Sequence, residues 1–224
     1  MPQIINEFKR PNKAIVEQYQ EVAKCYSTSC VFADVQRRRG VMHSSIKPIS
    51  NGTLVGPALT VKLAVGDLQD PLDALPVAQA GDVIVVDAGG DTETSVWGGL
   101  MGRLCLQKGI RGAIVDGAVR DIDELRDLGF FMFSRSVTAR GTHTMYSKRK
   151  DELDINVPIQ CGGVGVKPGD MIIADENGVT VVPNEDLESV LKLAKEQAER
   201  EEATRKAIAA GKTVDELIEE FGRI

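Results

Sequence analysis

Arg120 and Asp121 stand side by side in the stretch RGAIVDGAVRDIDELRD, residues 111–127. Ala113, Ile114 and Val115 before them read as a buried strand, the piece around Gly117 reads as a corner, and a helical pattern follows. Arg presents a planar fork that grips a carboxylate through two hydrogen bonds, and a neighbouring Asp can hold a divalent cation. Together they can bind an anionic ligand through guanidinium and metal at once. A single protein carboxylate, with the other positions left to water and substrate, suits Mg²⁺, which dehydrates reluctantly, or Mn²⁺. An architectural reading stands beside this one. Asp121 and Glu124 have the spacing of a capping arrangement, in which the Asp takes an amide at the helix start and the Glu reaches back, with Leu125 and Leu128 as the buried stripe. The end of an apolar strand is where open α/β sheets place ligands, which supports the functional reading.

The elements that must carry this corner alternate between strand and helix. Residues 11–25 pattern as a helix, and a polar passage through Ser27, Thr28 and Ser29 leads to CVFADVQ. GTLVGPALTVKLA gives the clearest strand signal, DPLDALPVAQA a short helix begun by Asp70 as cap and Pro71 at its first position, and GDVIVVDAGG a buried strand. Residues 92–109 pattern as a helix entered through SVWGGLMG, and FFMFSRSVTARGT as a strand and loop. GDMIIADENGVTVVP reads as two strands around a Glu176-Asn177-Gly178 turn. A charged amphipathic helix from about Glu185 to Ala210 and a shorter one after Gly211 complete the chain. GDVIVVDAGG and GDMIIADENG echo each other, a recurring turn–strand–turn that sets Asp87 and Asp175 at strand ends, where polar groups can face a cleft. Some connections are too short for helical crossovers, so the expectation is a layered α/β protein with mixed strand directions.

At 224 residues the chain can bury a large core without disulfides or structural metal. Aromatics are only 4%, which argues against a base-stacking platform, and a net charge of -6 disfavours a general affinity for nucleic acid. Arg37-Arg38-Arg39 and Lys148-Arg149-Lys150 are small basic clusters that read as solvated surface. Cys25, Cys30, Cys105 and Cys161 have no spacing that pairs with His43 or His143, so a zinc site is not expected. No apolar run approaches a membrane span and no signal peptide is evident, so a cytoplasmic location with reduced thiols is expected. Asn51-Gly52-Thr53 is then a turn rather than a glycosylation site. Gly-Lys-Thr near residue 213 lacks the opening Gly of a phosphate loop, and CGGVGVKPGD runs into Pro168 instead of opening a helix.

SVWGGLMGRLCLQKGIRGAIVDGAVRDIDELRDLGFFMFSR, with CGGVGVKPGDMIIADENGVTVVP, resembles the RraA-like family of 4-hydroxy-4-methyl-2-oxoglutarate aldolases, with their oxaloacetate decarboxylase side activity, and regulators of ribonuclease activity. The resemblance runs from about Cys30 to Pro183. It implies a layered swivelling β/β/α domain over residues 1–184, a helical extension over 185–224 that packs on the same domain or a neighbouring subunit, and trimers or hexamers with sites between subunits. It also implies that Asp121 binds the metal, that Arg120 binds substrate and stabilises charge in catalysis, and that Gly98, Gly99, Leu100 and Met101 offer backbone amides to the carboxylate of a 2-oxo acid. Cleavage then leaves a pyruvate enolate whose charge metal and Arg120 share. In the aldolases an acidic residue stands where this chain has Gly99, and its loss bears more on aldol cleavage, which needs a base, than on decarboxylation. Glu93, Asp116, Glu196 and Glu199 are the substitutes considered, the last two from a neighbouring subunit. The alternative implied by the resemblance is a non-catalytic regulator that binds a protein partner such as a ribonuclease. The methyltransferase label carried by some relatives finds no cofactor loop here.

Overall fold

The computed structural model describes residues 4–63, 71–142 and 153–222. Asp70, His143 and the Lys148-Arg149-Lys150 cluster lie outside these residues. In chain order the elements are α1 (Lys13–Val22), α2 (Thr28–Val35), β1 (Lys47–Pro48), β2 (Leu54–Lys62), a 3₁₀ turn (Pro71–Ala74), β3 (Val83–Asp87), α3 (Gly99–Gln107), β4 (Gly112–Val119), α4 (Ile122–Asp127), β5 (Phe131–Val137), β6 (Asp154–Ile155), β7 (Ile159–Cys161), β8 (Val164–Val166), β9 (Met171–Asp175), β10 (Gly178–Val182), α5 (Leu187–Ala209) and α6 (Val214–Phe221).

The sheet runs β1-β5-β4-β3-β2-β9-β10, with β6 also on β2. Strands β2 to β5 are parallel, whereas β1, β6, β9 and β10 pair antiparallel. The long strand β2 pairs with β9 over Leu54–Pro57 and with β3 over Ala58–Lys62, and so joins two sheets that line a shared core. Side chains of successive strand residues point to opposite faces, and the apolar runs use both. Ile84 and Val86 of β3 enter a core under α3 and α4 with Val115, Met101 and Leu125, while Val83 and Val85 enter a second core with Ile159, Cys161, Ile172 and Val181. A third core lies on the outer face of β9, where Met171 and Ile173 meet Tyr19, Phe32, Leu187, Val190 and Leu191 of α1, α2 and α5. Helices therefore cover both outer faces of two β layers, and the proximal half of α5 packs on the same body.

Four local expectations change. Strand β4 does not end at Val115 but continues through Asp116 and Gly117 to Val119, with a register shift between Val115 and Ala118. A Cβ on Gly117 would stand 2.8 Å from that of Ala88, so the glycine permits a close passage where the sequence suggested a corner. The serine-rich passage is the start of α2, and Asp175 is buried against it, accepting from the Ser29 amide at 2.9 Å and its hydroxyl at 2.7 Å instead of facing a cleft. Only the part of 92–109 from Gly99 onward is helical. The capping arrangement at Asp121 and Glu124 does not form, for reasons that belong to the site itself.

Candidate active site

Parallel neighbours need crossovers, and α3 and α4 supply them, from β3 to β4 and from β4 to β5. Both helices therefore begin at the carboxyl edge of the sheet, and their N-termini meet there. Residues 95–97 run beside the end of β4: the Val96 amide donates to Ala118 at 3.0 Å, and the Arg120 amide to the Trp97 carbonyl at 2.9 Å. Trp97 is buried and its ring stacks on Phe130 at 5.8 Å. That anchor delivers Gly98 and Gly99 to the Arg120–Asp121 corner from a position more than twenty residues earlier in the chain.

Asp121 occupies the left-handed region, with φ of 54°. This conformation is uncommon for residues other than glycine, and Asp is among the few that accept it. Its carboxylate caps nothing in its own helix. Instead Oδ2 accepts from the Gly99 amide at 3.1 Å, at the start of α3. Arg120 Nε lies 3.8 Å from the same oxygen, and the two side chains remain 46% and 44% exposed, so a solute can reach both.

The glycines here leave room for the side chains of the site. A Cβ on Gly98 would fall 2.5 Å from Asp121 Oδ2, and one on Gly141 would fall 2.5 Å from Arg120 Nη1. A Cβ on Gly99 would overlap the carboxyl group of Glu124 and lie 2.9 Å from its Cγ. Glu124 thus occupies the volume that a side chain at position 99 would fill. It reaches across to α3, where its Oε1 accepts from Arg103 Nε. Gly98 has no side chain with which to cap α3, so the helix opens on main-chain amides with Asp121 and Glu124 beside them.

The structure therefore brings Gly98, Gly99, Leu100, Met101, Arg120 and Asp121 to one edge, and adds Glu124, which the sequence reading took for a cap partner. The other carboxylates considered as bases stand elsewhere. Asp116 is buried in β4, receives Arg135 at 2.5–2.6 Å and the Gly162 amide at 2.7 Å, and is committed to holding strands together. Glu93 lies in an exposed turn built on Asp91, which accepts the Glu93 amide at 2.8 Å and that of Thr94 at 3.2 Å. Glu196 and Glu199 are exposed on α5, in the helical layer across from α3 and α4 of their own chain, which leaves open the expectation that they serve the site of a neighbouring subunit. Among the described residues no three His, Cys, Asp or Glu side chains gather into a metal-binding cluster.

The chain matches the RraA-like family (Aldolase/RraA) over residues 14–181. It is 44% identical over 167 residues to a putative 4-hydroxy-4-methyl-2-oxoglutarate aldolase of Halalkalibacterium halodurans, an alignment covering 74% of this chain and 77% of that protein. Among solved structures, Streptomyces coelicolor RraAS2, described as an unusual member of the RNase ES inhibitor RraA protein family, superposes with a TM-score of 0.72 at 28% identity, covering 88% of this chain and 99% of that one. An uncharacterized protein of Pseudomonas syringae pv. tomato shares the fold at a TM-score of 0.79 and 24% identity, over 95% of this chain and 96% of that one. Sequence and fold agree over most of the length, and the protein belongs to the RraA-like family.

Proposed function

We propose that this protein is a divalent-cation-dependent carbon–carbon lyase that releases pyruvate from a 2-oxo acid, by aldol cleavage of 4-hydroxy-4-methyl-2-oxoglutarate, by decarboxylation of oxaloacetate, or by both. The observation that carries the reading is the half-exposed Arg120–Asp121 pair at the start of α3, where Asp121 takes the Gly99 amide, with Glu124 beside it. The name of the Halalkalibacterium halodurans relative points the same way.

The carboxylates present fit a hard cation that keeps most of its waters. Asp121 has one oxygen engaged by the Gly99 amide and another to offer, Glu124 stands beside the same helix start, and among the described residues no cluster of three or more ligands forms. Mg²⁺ is the expected ion and Mn²⁺ the alternative. Bound there, it would lower the cost of negative charge developing on the substrate.

The chain's own groups have separate tasks. The first turn of α3 is an electropositive helix end; with the Gly99 amide held by Asp121, the amides of Leu100 and Met101 can hold the substrate's C1 carboxylate. Arg120 donates to the C2 oxygen, which carries the charge as the C3–C4 bond breaks. In aldol cleavage Glu124 takes the C4 hydroxyl proton, C4 leaves as the ketone of a second pyruvate, and the enolate is protonated at C3. In decarboxylation C4 leaves as CO₂ and no hydroxyl proton has to be removed, so the same enolate forms without a base. Self-association as a trimer or hexamer, in the cytoplasm, is part of the proposal. Leu100 is 75% exposed and Leu104 40% exposed on one face of α3, apolar surface that a second copy can cover.

Pyruvate release from both substrates, with Mg²⁺ and again with EDTA, tests the reading. Metal-dependent release from either substrate supports a lyase. Release from neither, with Mg²⁺ or Mn²⁺, would overturn it and favour the protein-binding regulator.

A further inference from the structure

Arg103 has a position that helix energetics do not explain. It lies in the second turn of α3, outside the last turn, which is where a cation gains from the helix dipole. Long side chains on a helix lean toward its N-terminus and cover the residue four positions earlier. Arg103 therefore leans over Gly99, the position whose missing side chain leaves room for Glu124. There its Nε donates to Glu124 Oε1, and the pair is open to water, with Arg103 54% and Glu124 30% exposed. Exposed pairs of this kind add little to folding stability.

Charge supplies the second argument. Without Arg103 the corner holds two carboxylates, Asp121 and Glu124, and one cation, Arg120, and the proposed substrates arrive with two carboxylates of their own. With Arg103 the protein charges balance before any metal binds. The guanidinium also keeps the flexible Glu124 side chain over the start of α3 instead of in solvent.

Building on the reading above, we infer that Arg103 is a positioning residue. It acts through Glu124, fixing that carboxylate over Gly99 and offsetting its charge so that an anionic substrate can enter. It touches no reacting atom itself. The same design makes Gly99 part of the device, because any side chain there would displace Glu124 from Arg103.

The test is a double-mutant cycle on the purified full-length protein with Mg²⁺, read as kcat and KM for whichever 2-oxo acid the wild type cleaves, with binding of oxalate, an analogue of the pyruvate enolate, measured alongside. Arg103→Ala should lower kcat/KM by about tenfold to a hundredfold, the weight of one charge-assisted hydrogen bond, with a rise in KM and weaker oxalate binding for either substrate and a lower kcat in aldol cleavage. Arg103→Lys, which keeps the charge but not the fork, should recover the KM and oxalate terms more fully than kcat. In kcat, Arg103→Ala/Glu124→Ala should be no slower than Glu124→Ala alone, since the Arg then has nothing to position. Unchanged kinetics in Arg103→Ala, or losses that simply multiply in the double variant, would overturn the inference even if the wild type is an active lyase. An inactive wild type would instead overturn the reading on which it rests. Should Arg103→Ala fold poorly, Arg103→Gln and the Lys variant carry the same comparison.

Discussion

Glu124→Ala removes the one carboxylate that the structure adds to the Arg120–Asp121 corner, and its effects on folding and on chemistry should separate. On folding, the variant loses a partly exposed ion pair with Arg103, a loss of about 0.2–1 kcal/mol, so the thermal midpoint should fall by no more than a few degrees. On chemistry, a positioned general base is worth about 10²–10⁴ in rate, and aldol cleavage of 4-hydroxy-4-methyl-2-oxoglutarate should drop by that factor. Oxaloacetate has no C4 hydroxyl proton to lose, so its decarboxylation should stay within a few-fold of wild type. The assay is pyruvate release from both substrates by coupled reduction, under saturating Mg²⁺. Because a side chain on Gly99 would enter the volume of the Glu124 carboxyl group, Gly99→Asp in the Glu124→Ala background should restore part of the aldol rate by supplying a carboxylate from the other helix. Equal losses with both substrates would show that Glu124 serves the enolate or the cation and not the proton. No loss with either would remove it from the mechanism.

Four further outcomes are expected. Arg120→Ala should cost about 3–4 kcal/mol of transition-state stabilisation, by analogy with the loss of an oxyanion donor, in both reactions. Asp121→Asn keeps an acceptor for the Gly99 amide but loses the charge, so Mn²⁺ binding followed by electron paramagnetic resonance should weaken and turnover with it, while the circular dichroism spectrum stays unchanged. Thiol titration of the native protein should find Cys30, which is exposed, reacting ahead of Cys105 and Cys161; burial pushes Cys105 up to about 12 and holds the Cys161 thiol well above its usual range, so both should react only on unfolding. The Thr213 amide and hydroxyl hold the Glu216 carboxyl below its ordinary value of 4.5. A lowered acid stabilises the fold above its unfolded pKa and loses that contribution as pH falls through the folded value, so hydrogen-exchange protection of α6 should be level from pH 7 to 5 and decline below about 4.5.

The parts of this fold that could be read from sequence are those where one periodicity decides. The uninterrupted apolar runs of β3 and β9 need partners on both faces, and each has them. The turn between β9 and β10 is legible because Asp175 Oδ1 accepts from the Asn177 amide at 2.8 Å, a local bond that the sequence order alone specifies. The echo between GDVIVVDAGG and GDMIIADENG has the same origin: Asp82 and Asp170 each accept the amide three residues earlier, and Asp87, like Asp175, accepts the one two residues later. Shared turn chemistry accounts for it without duplication. Asp175 shows where such reading stops. Its own turn was predictable, but its second task, holding Ser29 across a separation of 146 residues, depends on a packing that no local pattern contains.

Asp121 and Glu124 fail to be legible for a sharper reason. Their spacing describes two devices equally well: a helix that caps itself, or two carboxylates presented to another helix. What separates them is the left-handed backbone at Asp121, which directs its carboxylate away from α4 toward the amide of Gly99. That geometry is undisturbed when the N-cap and first residue of α3 carry no side chain, since a Cβ at either would press on Asp121 or Glu124. Gly98 and Gly99 meet this condition, and in sequence they look like an ordinary tight corner before a helix. The information is carried by absent side chains at one place and by ambiguous carboxylates more than twenty residues later, and it becomes specific only when β4 sets the two side by side. The cost of the strained residue, of order 1–3 kcal/mol, has no return within α4, which Asp121 does not cap; its return lies across the corner, where the carboxylate takes the first amide of α3. The same conformation sets an Arg, two carboxylates and the start of α3 together at one solvent-facing edge, the arrangement on which the proposed lyase chemistry rests.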